Sequence, residues 1–128
     1  VTVDALLSYG PIRAPAILAA VLGVSLVNGA SEELLWRGAF TAAFRQRIGW
    51  AYLYPTVLFT AWHVALLLVP GVQYKGGALA LLGGAALLGA GWGWVAWRTG
   101  DLRSVTAAHV LLNVVAFTGL VQANWANA

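Results

Sequence analysis

Few side chains in this sequence can move a proton or hold an anion, and they fall into three short clusters. Glu32, Glu33 and Arg37 form the first, His63 the second, and His109 with Asn113 the third; Asn28 is a further polar companion. Carboxylates and imidazoles are the groups of general acid–base chemistry and of zinc ligation. The absence of cysteine excludes thiolate nucleophiles, disulfides and Cys-ligated zinc. Spacing gives each cluster a geometry. Glu33 and Arg37 are four apart with the acid first, the favourable order for a helical ion pair. Glu32 then points about 100° away from Glu33 and is free for another task. His109 and Asn113, also four apart, face one way and can converge on one ligand atom, while Phe59 sits one turn before His63.

The elements that must carry these residues belong in a membrane. Of 128 residues 61% are hydrophobic and only 9% charged, far below the roughly 25% charge that a water-facing domain carries. Four uncharged runs lie between the charges: 14–31, 48–74, 76–97 and 104–128. Each is near or above the roughly 20 residues that span a bilayer, so an all-α bundle with about four transmembrane helices is expected, as a single membrane-embedded unit over 1–128. A lead-in ends at Gly10-Pro11, and the first helix starts near Ile12 and runs into Arg37. The stretch Gly38 to Arg47 suits a segment leaving the membrane or lying on its surface. Pro55 opens the second helix, which stops at Pro70-Gly71; the third runs from Gly77 to Trp97 and the fourth from Leu102 or Ser104 to Val121. Ala85, Gly89 and Gly93 make a small-residue packing stripe, and Trp92, Trp94 and Trp97 are expected at an interface. No signal peptide is evident, and a start at Val1 without any Met suggests a piece of a longer chain.

Depth along these helices links the clusters. His63 lies eight residues past Pro55, about 12 Å, and His109 six past Arg103, about 9 Å; Glu32 and Glu33 close the first helix. Ionisable groups from three helices at similar depth point to one shared site, because such groups are costly in lipid. Arg45, Arg47, Arg98 and Arg103 fall on one side if helices alternate, against Arg13 and Lys75, which makes the first side cytoplasmic. The site then lies toward the cytoplasmic half. The seven basic residues are scattered singly, with no basic stripe interleaved with aromatics, so nucleic-acid binding has no support.

The sequence also resembles a known family. Glu32-Glu33-Leu34-Leu35-Trp36-Arg37, continued by Gly38, is similar to the first motif of the CAAX-protease and bacteriocin-processing (CPBP, Abi) membrane endopeptidases. Phe59-Thr60-Ala61-Trp62-His63 is similar to the second motif, and His109-Val110-Leu111-Leu112-Asn113 to the third. All three occur once and in the family's order, and the resemblance spans about 12–121. It implies an intramembrane protease related to the type II CAAX prenyl endopeptidases, acting on a membrane peptide or lipidated protein. It implies Glu32 as general base with His63, together activating a water, and His109 with Asn113 as oxyanion donors. Glu33–Arg37 would be a structural ion pair, and Phe59 would line the site. Family members generally have about twice as many membrane helices, so missing helices or a partner chain are expected to complete the fold.

Competing readings need stating. Zinc at Glu32, His63 and His109 is the runner-up to a cofactor-free mechanism; the sequence has no His-Glu-x-x-His pair. A catalytically inactive scaffold or accessory subunit, binding peptides or partner helices, is the alternative function. A small transporter is weaker, since broken helices and paired sites are not evident in the sequence. The alanine- and glycine-rich composition points to a bacterial inner membrane.

Overall fold

The computed structural model describes residues 15–125, which form helices joined by turns with no strand among them. The first rod is longer than expected. Helix α1 (Pro15–Glu33) passes into a π turn at Leu34–Ala39 and on into α2 (Phe40–Phe44). Gly38 to Phe44 therefore extends the first helix; it is not a separate surface segment. The apolar stretch Ile17–Phe44 has 28 residues, about 42 Å at 1.5 Å each, and so exceeds a bilayer core of about 30 Å. The expected start near Ile12 and the turn at Gly10-Pro11 lie outside the described residues.

The second apolar run departs from expectation. In place of one unbroken span it gives a π turn at Gly49–Leu53, then α3 (Tyr54–Trp62) and a four-residue α4 (Val64–Leu67). The break at His63 has a local cause. The His63 ring places Nδ1 2.8 Å from the Phe59 carbonyl, the oxygen that its own backbone N–H would take in a regular α-helix. That N–H bonds to Thr60 O instead, at 3.2 Å, and the tighter three-residue spacing continues from Leu66 to His63 and from Leu68 to Ala65. Three helices, not four, are long and apolar enough to cross a membrane: Ile17–Phe44, Gly77–Thr99 and Leu102–Val121.

Helices α5 (Gly77–Thr99) and α6 (Leu102–Trp125) fall close to their expected bounds. Asp101 caps α6, accepting the Arg103 N–H at 2.9 Å. Hydrogen bonds from the Ser104 side chain, first, and from that amide hold its carboxyl below the ordinary value. Helix α1 packs along α6, and α3 along α5. Ala85, Gly89 and Gly93 are buried on α5, as their four-residue spacing predicts.

The distribution of burial is that of a protein turned toward lipid. Six hydrophobic residues form the core, and six polar or charged ones are equally enclosed: Ser25, Glu33, Arg37, Thr41, His109 and Asn113. Meanwhile Leu79, Leu87, Leu68, Leu111 and Val27 are more than 65% exposed. Water penalises that arrangement, whereas hydrocarbon favours it.

Candidate active site

The site begins with how closely two helix backbones approach. Gly29 of α1 lies against Val110 of α6 so tightly that a Cβ would come within 2.9 Å of Val110 Cγ2 and 3.2 Å of its backbone nitrogen. Only glycine allows that contact without moving a helix. One turn further, Glu32 and Glu33 reach His109. Glu33 Oε1 lies 2.7 Å from His109 Nδ1, and Glu32 Oε2 lies 3.5 Å from Nε2. Both carboxylates thus address one imidazole from its two nitrogens. With Nδ1–H donating to Glu33, the ring is fixed and Nε2 faces Glu32. The Glu32 contact is within ion-pair range but not aligned as a hydrogen bond, so Glu32 Oε2 remains a buried oxygen without a hydrogen-bond partner.

Glu33 has a second duty. Its Oε1 also accepts from Arg37 Nη1 at 3.0 Å, and both partners are at least 97% buried. The π turn carries Arg37, whose Nη2 reaches the Gly89 carbonyl on α5 at 3.3 Å. The ion pair predicted from spacing is present, and it ties three helices together rather than one. Phe59 lies at the centre, 2% exposed, with the Arg37 guanidinium 4.1 Å from its ring centroid. A Cβ on Gly89 would meet Phe59 Cδ1 at 2.8 Å, so that glycine makes room for both the ring and the arginine.

Phe59 also joins the two histidines, meeting His63 edge-on at 4.7 Å between centroids and His109 at 5.9 Å. Because the His63 Nδ1–H donates to the Phe59 carbonyl, its Nε2 carries the lone pair. Asn113, one turn beyond His109, is 7% exposed and its Nδ2 has no hydrogen-bond partner; Ser25 Oγ and Glu33 Oε2 are likewise buried and unpartnered. Buried polar atoms seldom stay unpaired, and water or a substrate is the natural partner here.

The structure therefore gathers Glu32, Glu33, Arg37, Phe59 and His109 by direct contact and adds His63 through Phe59. Asn28 is half-buried on α1 and makes no hydrogen bond within this set. Trp92 escaped the sequence reading. Placed there at an interface, it instead stacks on His109 with centroids 4.6 Å apart and planes 29° apart. Gly29 and Ser25 were also missed, and only a helical repeat of small residues running 25, 29, 33 from α1 into the motif hinted at them. For zinc the geometry gives no support: among the described residues no three His, Asp or Glu side chains gather as metal ligands, and Glu32, His63 and His109 do not form such a set.

No curated protein and no solved structure gives a significant match to the chain. One family pattern does, over residues 14–115, and that stretch contains all three motifs and every contact described above. With three membrane-length helices around a buried Glu–His–Arg cluster, this integral membrane protein belongs to the type II CAAX prenyl endopeptidase Rce1-like family.

Proposed function

We propose that this chain is the core of an intramembrane endopeptidase that hydrolyses a peptide bond in a membrane-associated peptide or lipidated protein. In this reading Glu32, with His63, withdraws a proton from a water molecule, and the resulting hydroxide attacks the scissile carbonyl. His109 and Asn113 donate to the oxyanion as it forms. The proton held at Glu32 then passes to the departing amine, so the new carboxyl and amino ends balance. Glu33 and Arg37 act one step removed: they fix the His109 ring and join α1 to α5.

One observation carries this reading. Glu32 Oε2 and Asn113 Nδ2 are enclosed and unpartnered on either side of a histidine whose other nitrogen is already fixed. An acceptor, a pinned imidazole and an amide donor around one space make a hydrolytic arrangement. A scaffold would gain nothing from enclosing such groups at the cost they carry in lipid.

The test is peptide cleavage by reconstituted protein, with Glu32→Gln and His63→Ala beside the parent chain and a parallel peptide-binding assay. Loss of one oxyanion donor in Asn113→Ala should slow turnover about 10²–10³-fold, and Glu32→Gln should abolish it. Full cleavage by both Glu32→Gln and His63→Ala would refute the assignment, and binding without any cleavage would favour the scaffold. Exhaustive chelation should leave cleavage intact; loss restored by zinc would revive the metal reading.

A further inference from the structure

The three membrane-length helices share one strongly positive end. Arg45 follows the first span, Arg98 closes the second and Arg103 opens the third, with Arg47 nearby. Direct contacts place them together. The Arg45 guanidinium lies 3.5–3.8 Å from where a Cβ on Gly100 would stand, and the Arg45 carbonyl accepts from Trp97 Nε1 at 3.2 Å. Arg98 sits over the Trp94 and Trp97 rings at 5.6 and 5.9 Å. Among the described residues none of the four arginines is ion-paired with a carboxylate. Asp101, the acid nearest in sequence, is committed to the first amides of α6. Four positive charges thus face one engaged negative charge.

Between them the fold leaves an open recess of about 270 Å³, walled by Thr41, Ala42 and Arg45 on one side and by Ala96, Gly100 and Leu102 on the other. It opens where the apolar spans end, beside the half-exposed indoles of Trp50 and Trp94. That level is where lipid phosphates lie, and indole rings settle there too. Soluble anions would meet the arginines anywhere on this face, but only a molecule already in the bilayer presents its phosphate at this depth.

We propose that the recess seats the headgroup of an anionic phospholipid, with Arg45 donating to its phosphate. This site is separate from the Glu–His cluster and does not depend on the peptidase reading. Its test uses the whole chain in nanodiscs of phosphatidylcholine, with and without phosphatidylglycerol, reading thermal unfolding and lipid retention by native mass spectrometry. The parent should prefer phosphatidylglycerol. Arg45→Gln should cut that preference on the order of tenfold, the scale of one charge-assisted hydrogen bond. Ala42→Phe, which fills the recess without changing charge, should do the same, while Arg47→Gln should leave most of it. No preference in the parent would overturn the proposal. Equal losses in Arg45→Gln and Arg47→Gln would also overturn it, by showing diffuse surface attraction. So would matching stabilisation by inorganic phosphate in phosphatidylcholine alone, which would assign the recess to a free anion.

Discussion

At the residue scale, the two adjacent glutamates differ in what they hold up. Glu33 neutralises a buried arginine and orients His109, so Glu33→Gln leaves Arg37 enclosed without its counter-charge. Removing one partner of a buried pair costs about 3–5 kcal/mol. Glu32 has only the 3.5 Å approach to His109, so Glu32→Gln should change stability by less than about 1 kcal/mol, the scale of an ordinary surface change or a weak pair. Unfolding of both variants in the same detergent checks this, and equal losses would show that Glu32 is also structural. The Glu33–Arg37 pair was legible in the sequence because a helix fixes its own four-residue neighbours. The Glu33–His109 bond was not. Those residues stand 76 apart, and their contact depends on how closely two helices pack, which spacing along one helix does not encode.

Packing of that kind is decided at the element scale, and Gly29 decides it for α1 and α6. Gly29→Ala places a methyl against the Val110 backbone as well as its side chain, so trimming Val110 to alanine cannot fully relieve it. The substitution should cost about 1–3 kcal/mol, as overpacking does, and should lower cleavage as well by drawing the glutamates away from His109. Measured unfolding with Gly29→Ala and the Gly29→Ala/Val110→Ala pair tests the claim, and complete rescue by the pair would contradict it. Helices α5 and α6 were readable to within a few residues from Gly77, from the Thr99-Gly100-Asp101 turn and from their uncharged lengths. The second run was not. Hydropathy averages over side chains, whereas its break comes from one ring competing for one carbonyl.

The whole molecule reads as a membrane protein both from its composition and from the inversion of its burial. Leu87, near the middle of α5 and 78% exposed, should face hydrocarbon. Leu87→Lys should disfavour insertion by about 2.5–3.5 kcal/mol, visible as reduced membrane integration in a translocation assay. A charge accepted there at no cost would mean that α5 does not lie in lipid. The π turn at Leu34–Ala39 has a consequence on this scale as well. It stands between the glutamates and Arg45, and its wide winding sets the angle between them. Losing the single codon for Ala39 would keep every motif residue, every charge and nearly all the hydropathy. It would nevertheless turn everything after it by about 100° and draw it in by about 1.5 Å. The number of residues in this segment is therefore itself a heritable setting, one that a scan of substitutions alone would never register.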